Sequence, residues 1–186
     1  MSRWATPPAW ASASTTRQPA TSDWSPAGLA AATGESVRVR NLSVSGARAR
    51  DVVDRQLPRL ARLPAPDLVT CVVGGNDVAW ARRFDAESFA RDMDVIAQGL
   101  PLGSTMGLVP HFVHWPYEGR ARKANEAIRV AAHRHGPLVA DLHTTTSELP
   151  LRRYLGTFAP DWFHPNETGH ALWADTIWEQ VAAGTA

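Results

Sequence analysis

Asp67-Leu68-Val69-Thr70-Cys71-Val72-Val73 is a nearly continuous apolar, β-branched run that passes straight into Gly74-Gly75-Asn76-Asp77. β-Branched side chains suit a pleated backbone, and a run that is apolar at successive positions suits a strand covered on both faces. The glycines then mark an abrupt change of direction. This stretch predicts a buried strand of an α/β domain, and the chain on either side agrees. Upstream, residues 47–60 predict a helix with Ala49, Val52, Val53, Leu57 and Leu60 on one face. Residues 36–42 alternate as a strand does, and residues 43–46 are a small-residue turn. Ser25-Pro26 opens a short helix over 27–32. Downstream, residues 88–100 predict a helix that buries Phe89, Met93, Ile96 and Leu100, and residues 105–112 a strand. Residues 122–135 predict a helix closed by Gly136, residues 137–142 a strand, and residues 168–183 the last helix. Residues 143–160 read as polar and irregular. Strands alternating with helices at this spacing imply a largely parallel sheet with right-handed crossovers.

Bulk properties narrow the function classes. A chain of 186 residues, 44% hydrophobic and 20% charged, suits one domain with a sizeable core. A formal net charge of +1 gives no reason to expect nucleic acid as a partner. The one cysteine, Cys71, lies inside the apolar run, which excludes a disulfide framework and a cysteine metal site. No apolar run has the length of a membrane span, and the first residues lack the apolar core of a signal peptide, so a cytoplasmic location is expected. Oligomeric state has no signature. Residues 1–23 stand apart: rich in Ala, Ser, Thr and Pro and without a helix or strand period, they predict an irregular segment preceding a domain over 24–186.

Sites in parallel sheets gather at the carboxyl ends of the strands. That rule selects residues 43–46, 74–77, 111–117 and 143–146, with Asp161 and His164 at the start of the last helix. A loop histidine is a natural general base, because its ordinary pKa is near neutrality, and an aspartate three positions earlier can hold its tautomer. The plainer reading makes His164 a capping or packing residue and Asp161 a turn former. Gly46 and Asn76 offer an unhindered backbone N–H and a side-chain amide, donors suited to a developing oxyanion. Equally, Gly46 is a turn residue and Asn76 a cap. Trp80, Trp115, Tyr117 and Trp162 are candidates for an apolar pocket or for packing. Asp77, His111, His114 and His143 are the residues from which a metal-dependent hydrolase would be built. No His-x-His pair or carboxylate cluster has metal-ligand spacing, so no metal is expected.

Three blocks, Asn41-Leu42-Ser43-Val44-Ser45-Gly46-Ala47, Gly74-Gly75-Asn76-Asp77 and Asp161-Trp162-Phe163-His164-Pro165, resemble in order and spacing the SGNH hydrolases, also called GDSL esterases/lipases. The resemblance covers roughly residues 24–183. It implies a flavodoxin-like three-layer α/β/α fold and hydrolysis of a small-molecule ester through an acyl-serine, without cofactor or metal. It further implies oxyanion-hole roles for Gly46 and Asn76, a general-base role for His164 and an orienting role for Asp161.

The family's nucleophile block, Gly-Asp-Ser-x-x-x-Gly after a hydrophobic first strand, does not occur in this chain. Ser12, Ser14 and Ser22 lie in the right region, but none has the strand and glycine turn that would aim its hydroxyl, so no nucleophile is assigned. In the genetic code, the Trp4-Ala5 and Trp10-Ala11 pairs each force a glycine when read from the third base of the tryptophan codon. Those two glycines have the family's spacing, and the codons between them permit Asp and Ser. Residues 1 to about 20 therefore read as an out-of-frame translation of the nucleophile block; the alternative is a divergent tail on an inactive homologue. Either way the expectation is a first strand lost, low stability and little activity, or a non-catalytic module that binds an acyl or sugar ester.

Overall fold

The computed structural model describes residues 34–80, 83–114 and 116–184. The expected irregular segment 1–23 and the helix at 27–32 lie outside the described residues. Helix α1 has three parts: an α-turn Ala49–Asp51, a π-helical Val52–Gln56 and an α-turn Leu57–Leu60. Then follow β1 (Thr70–Val72), α2 (Gly75–Trp80), α3 (Ala86–Gly99), β2 (Thr105–Gly107), α4 (Tyr117–His135), β3 (Leu138–Ala140), α5 (Leu142–Ser147), α6 (Leu151–Leu155) and α7 (Glu167–Gly184). The strands form a parallel sheet in the order β1-β2-β3, with Cys71 opposite Met106 and Met106 opposite Val139. Among the described residues, no helix is long and apolar enough to cross a membrane.

Local chemistry explains most boundaries. Asp85 caps α3 by accepting from the Glu87 and Ser88 N–H groups, and the stripe Phe89, Met93 and Ile96 is buried as its spacing predicts. Gly136 closes α4 in the left-handed region at φ 96°. In α1, Pro58 has no N–H to give, and its ring would crowd the Asp54 carbonyl of a regular α-turn. The preceding turn is wider: the Leu57 N–H bonds to the Val52 carbonyl, five residues back. Helices α3 and α4 pack on each other, and with Met106 and Leu108 they make the main core. Strand β2, between the other two, is buried at all three positions, while α7 packs across β2 and β3. Gly74, at the turn from β1 into α2, sits at φ 116°, and a Cβ there would lie 2.7 Å from Val109 Cγ2.

Three expectations need correction. Residues 36–42 are not a strand: they run without regular structure, Val39 is exposed, and no ladder partner stands beside them among the described residues. A strand needs paired edges, and alternation by itself supplies none. Strand β1 is not buried on both faces either. Thr70 and Val72 are exposed, Val72 at 42%: two residues apart, they share one face, and α7, which packs on β2 and β3, does not cover it. Finally, residues 143–160 are not irregular. They hold most of α5 and all of α6, and α5 starts where the Asp141 carboxylate accepts the Thr144 N–H. Helix α4 also begins five residues before the predicted 122, and the strands at 105–112 and 137–142 are shorter than predicted.

Candidate active site

Asp161 and His164 meet in the turn that enters α7. The imidazole Nδ1 is 2.6 Å from Asp161 Oδ2, and the backbone N–H groups of Phe163 and His164 donate to Asp161 Oδ1 at 3.0 and 2.9 Å. The imidazole contact, followed by these two N–H groups, holds the carboxyl down at about 2, so it is ionised throughout the neutral range. Both side chains are open to solvent, 60% for His164 and 51% for Asp161. Between them Trp162 adopts φ 58°, which among the described residues no other non-glycine does. A left-handed tryptophan costs free energy, and its surroundings hold it there. The Ala159 N–H bonds to the His164 carbonyl and the Trp162 N–H to the Ala159 carbonyl.

Asn166 fastens this turn from below. Its N–H donates to the Thr157 carbonyl, and its side-chain nitrogen to the carbonyls of Gly156 and Phe158 at 2.9 and 3.0 Å. Its side-chain oxygen accepts the Gly169 N–H and so caps α7. Sequence reasoning missed this residue, although an Asn three positions before a helical glycine is a recognisable cap.

The other two predicted residues form a second neighbourhood. Gly46 has φ 76° and lines a hollow of about 150 Å³ with Ser45, Asp51 and Arg55. Asn76, in the first turn of α2, donates from Nδ2 to the Ala47 carbonyl at 2.9 Å, which ties it to the Gly46 turn. Asp77 accepts the Ala49 N–H at 3.1 Å and so anchors the start of α1. Burial pushes its carboxyl above the ordinary range. From Asn76, α2 leads to Trp80, whose ring meets Phe163 edge-on at 5.2 Å, and Phe163 meets the His164 ring at 5.0 Å. The two neighbourhoods are thus joined through α2 and a row of aromatic rings, but the hollow at Gly46 and the space beside Phe163 are separate.

That second space is an apolar cleft of about 270 Å³, lined by Trp80, Phe112, Tyr117, Phe158, Trp162 and Phe163 among others. Three of the four aromatic candidates line it; Trp115 lies outside the described residues. Tyr154, also in its wall, donates its hydroxyl to the His111 carbonyl at 2.7 Å, and burial keeps that hydroxyl protonated, its pKa pushed up to about 12.

Of the residues considered as metal ligands, Asp77 is used by α1 and His114 lines the cleft. His111 and His143 converge on Glu118, which sequence spacing did not reveal. His111 Nδ1 and His143 Nε2 each lie 3.0 Å from one of its oxygens.

The family described as GDSL-like Lipase/Acylhydrolase family matches residues 9–172. No curated protein matches the chain. Among solved structures, a variant of Axe2, an acetyl xylan esterase from Geobacillus stearothermophilus, is similar at TM-score 0.66 and 21% identity, over 82% of this chain and 77% of that one. The lipase/acylhydrolase from Enterococcus faecalis also gives TM-score 0.66, at 18% identity over 83% and 81%. A member of the lipolytic protein G-D-S-L family from Veillonella parvula gives 0.61 at 19% identity, over 82% and 85%. At these identities the likeness is one of fold, and the fold is the α/β architecture with a parallel sheet.

Proposed function

Because the chain belongs to the GDSL-like lipase/acylhydrolase family, a family of hydrolases that act on ester bonds, we propose that Asp161 and His164 are the acid–base half of its site. The observation that carries this is the 2.6 Å contact between His164 Nδ1 and Asp161 Oδ2 in a solvent-open turn. An ionised carboxylate at Nδ1 holds a proton there and leaves Nε2 to accept one from an attacking hydroxyl. In the same reading, the Gly46 N–H and the second hydrogen of Asn76 Nδ2, the first being given to Ala47, stabilise the negative charge on the carbonyl oxygen of a small-molecule ester.

The sequence supplies no aimed serine, so this 186-residue chain is impaired in that chemistry. A base and oxyanion donors without their nucleophile retain only a residual part of the rate enhancement, several orders of magnitude below the intact unit. The test is hydrolysis of p-nitrophenyl acetate by four proteins: the chain itself, its His164→Ala variant, a version whose first residues are replaced by the shifted-frame Gly-Asp-Ser sequence, and that version with His164→Ala. Near-background rates for the first two, and a rate in the third that His164→Ala removes, are the expected results. Appreciable hydrolysis by the unaltered chain that His164→Ala abolishes would show that a serine elsewhere serves. The coding DNA read in three frames decides the origin of residues 1–20.

The absence of Gly-Asp-Ser also supports a second reading, a module that binds an acyl or sugar ester without cleaving it. There His164→Ala changes the affinity for an ester analogue and leaves no rate to change.

A further inference from the structure

The cluster formed by His111, Glu118 and His143 has no part in the ester chemistry above, and its geometry has a use of its own. His111 follows the end of β2, Glu118 lies in the first turn of α4, and His143 lies in the first turn of α5. Three segments beyond the carboxyl ends of β2 and β3 thus bring two imidazoles to opposite oxygens of a single carboxylate. The three side chains are largely enclosed, at 24%, 17% and 18% exposure. His111 Nδ1 is buried and has no hydrogen-bond partner, although Glu118 Oε2 is only 3.0 Å away. That oxygen already accepts the Phe112 N–H at 3.1 Å, so the unmet requirement is the buried ring nitrogen itself, and a cation between it and the carboxylate meets it.

The metrics suit zinc. One ligand atom from each of the three residues lies within 4.8 Å of the others. Two imidazoles on one zinc ion, with bonds of about 2.0 Å and a near-tetrahedral angle, hold their ring centroids about 5 Å apart. Here the His111 and His143 rings are 5.7 Å apart and nearly perpendicular, at 88°. Two imidazoles and a carboxylate are a borderline-soft donor set that favours zinc over calcium or magnesium. The competing cation is Arg122, whose Nε donates to Glu118 Oε1 at 2.7 Å. Its side chain is 72% exposed, and an exposed pair four residues apart on a helix is weak. It can swing out as the ion enters.

We propose that His111 Nδ1, Glu118 and His143 Nε2 form a structural site for a divalent transition metal, zinc by preference, with the remaining position taken by water. Its place in the fold sets its effect. His111 and Glu118 bracket the loop that carries Phe112, Val113, His114 and Tyr117 into the apolar cleft. An ion held by both ends of that loop and by α5 fastens one wall of the cleft. The site is independent of the ester-hydrolase assignment.

Zinc chloride titrated calorimetrically into the purified full chain tests this, with cobalt(II) as a spectroscopic probe of the same site. The expected result is saturable binding of one ion per chain, with the strong visible absorption of four-coordinate cobalt. Binding is lost in His143→Ala and in Glu118→Gln. It is kept in His135→Ala, whose imidazole pairs with Asp94 instead, and tightened in Arg122→Ala. Failure of the unaltered chain to bind zinc, binding that survives His143→Ala, or the weak spectrum of six-coordinate cobalt would each overturn the proposal. The last of these is read on the unaltered chain, so a variant that fails to fold does not spare it.

Discussion

Asp161 shows how much one side chain can be asked to do in an exposed turn. It accepts two backbone N–H groups with one oxygen and the His164 ring with the other, and the ring contact is the largest cause of its low pKa. His164→Ala therefore raises the Asp161 pKa, while the two N–H groups keep it below the usual 3.8; a carbon-detected NMR titration reads both values. A depressed carboxyl stabilises the fold when it is charged. That contribution is present in full above 3.8 and is lost as pH falls towards about 2, so acid unfolding of His164→Ala loses less across this window than the unaltered chain does. Asn166 is the other decisive residue here. Asn166→Ala removes the two side-chain donations and the cap of α7 together. It costs about 2 kcal/mol of stability, measured by urea unfolding. The Asp161-to-Pro165 block was legible because its partners are local in sequence. The role of Asn166 as a clamp was not, because its partners Gly156, Thr157 and Phe158 lie eight to ten residues away and meet it only through the turn between α6 and α7.

At the scale of elements, the clearest case is the junction between β2 and α4. Past the end of β2, the Val109 N–H donates to Asn125 Oδ1 at 2.7 Å, and the Val109 carbonyl accepts from Asn125 Nδ2 at 2.9 Å. A buried amide side chain on a helix thus takes the place of the next strand. Asn125→Ala leaves both Val109 groups buried and unpaired and costs about 3 kcal/mol, read in the midpoint of urea unfolding at unchanged slope. Helix spacing placed Phe89, Met93 and Ile96 correctly, because a buried stripe is written in the sequence period itself. Asn125 carries no such mark: a polar residue on a helix reads as solvent-facing until the strand end it completes is in place. The start of α4 at Tyr117, and helix α5 within a segment that reads as irregular, escaped for a related reason. Both depend on contacts made by loops, such as the Asp141 cap and the Glu118 cluster.

Over the whole molecule, the sheet is lopsided. Its β3 side is packed by α4 and α7, whereas β1 ends the described sheet with Val72 exposed and, among the described residues, no further strand beside it. An edge with unpaired N–H and C=O groups and apolar side chains is a template for another chain. The 186-residue chain is expected to self-associate as its concentration rises, and Val72→Lys is expected to reduce this, as light scattering would show. The sequence by itself determined the α/β class, the buried stripe of α3, the closing glycine of α4 and the resemblance to the family. Each is a matter of local periodicity, turn chemistry or residue order, and these survive without knowledge of the fold. Only the tertiary structure decided that, among the described residues, 36–42 have no strand to pair with and β1 ends the sheet. Only it could show that Asn76 is tied to the Gly46 turn, and that His111, Glu118 and His143 share one point. Pairing and convergence depend on which distant segments become neighbours, and that is fixed by packing across the sheet, not by any stretch read alone.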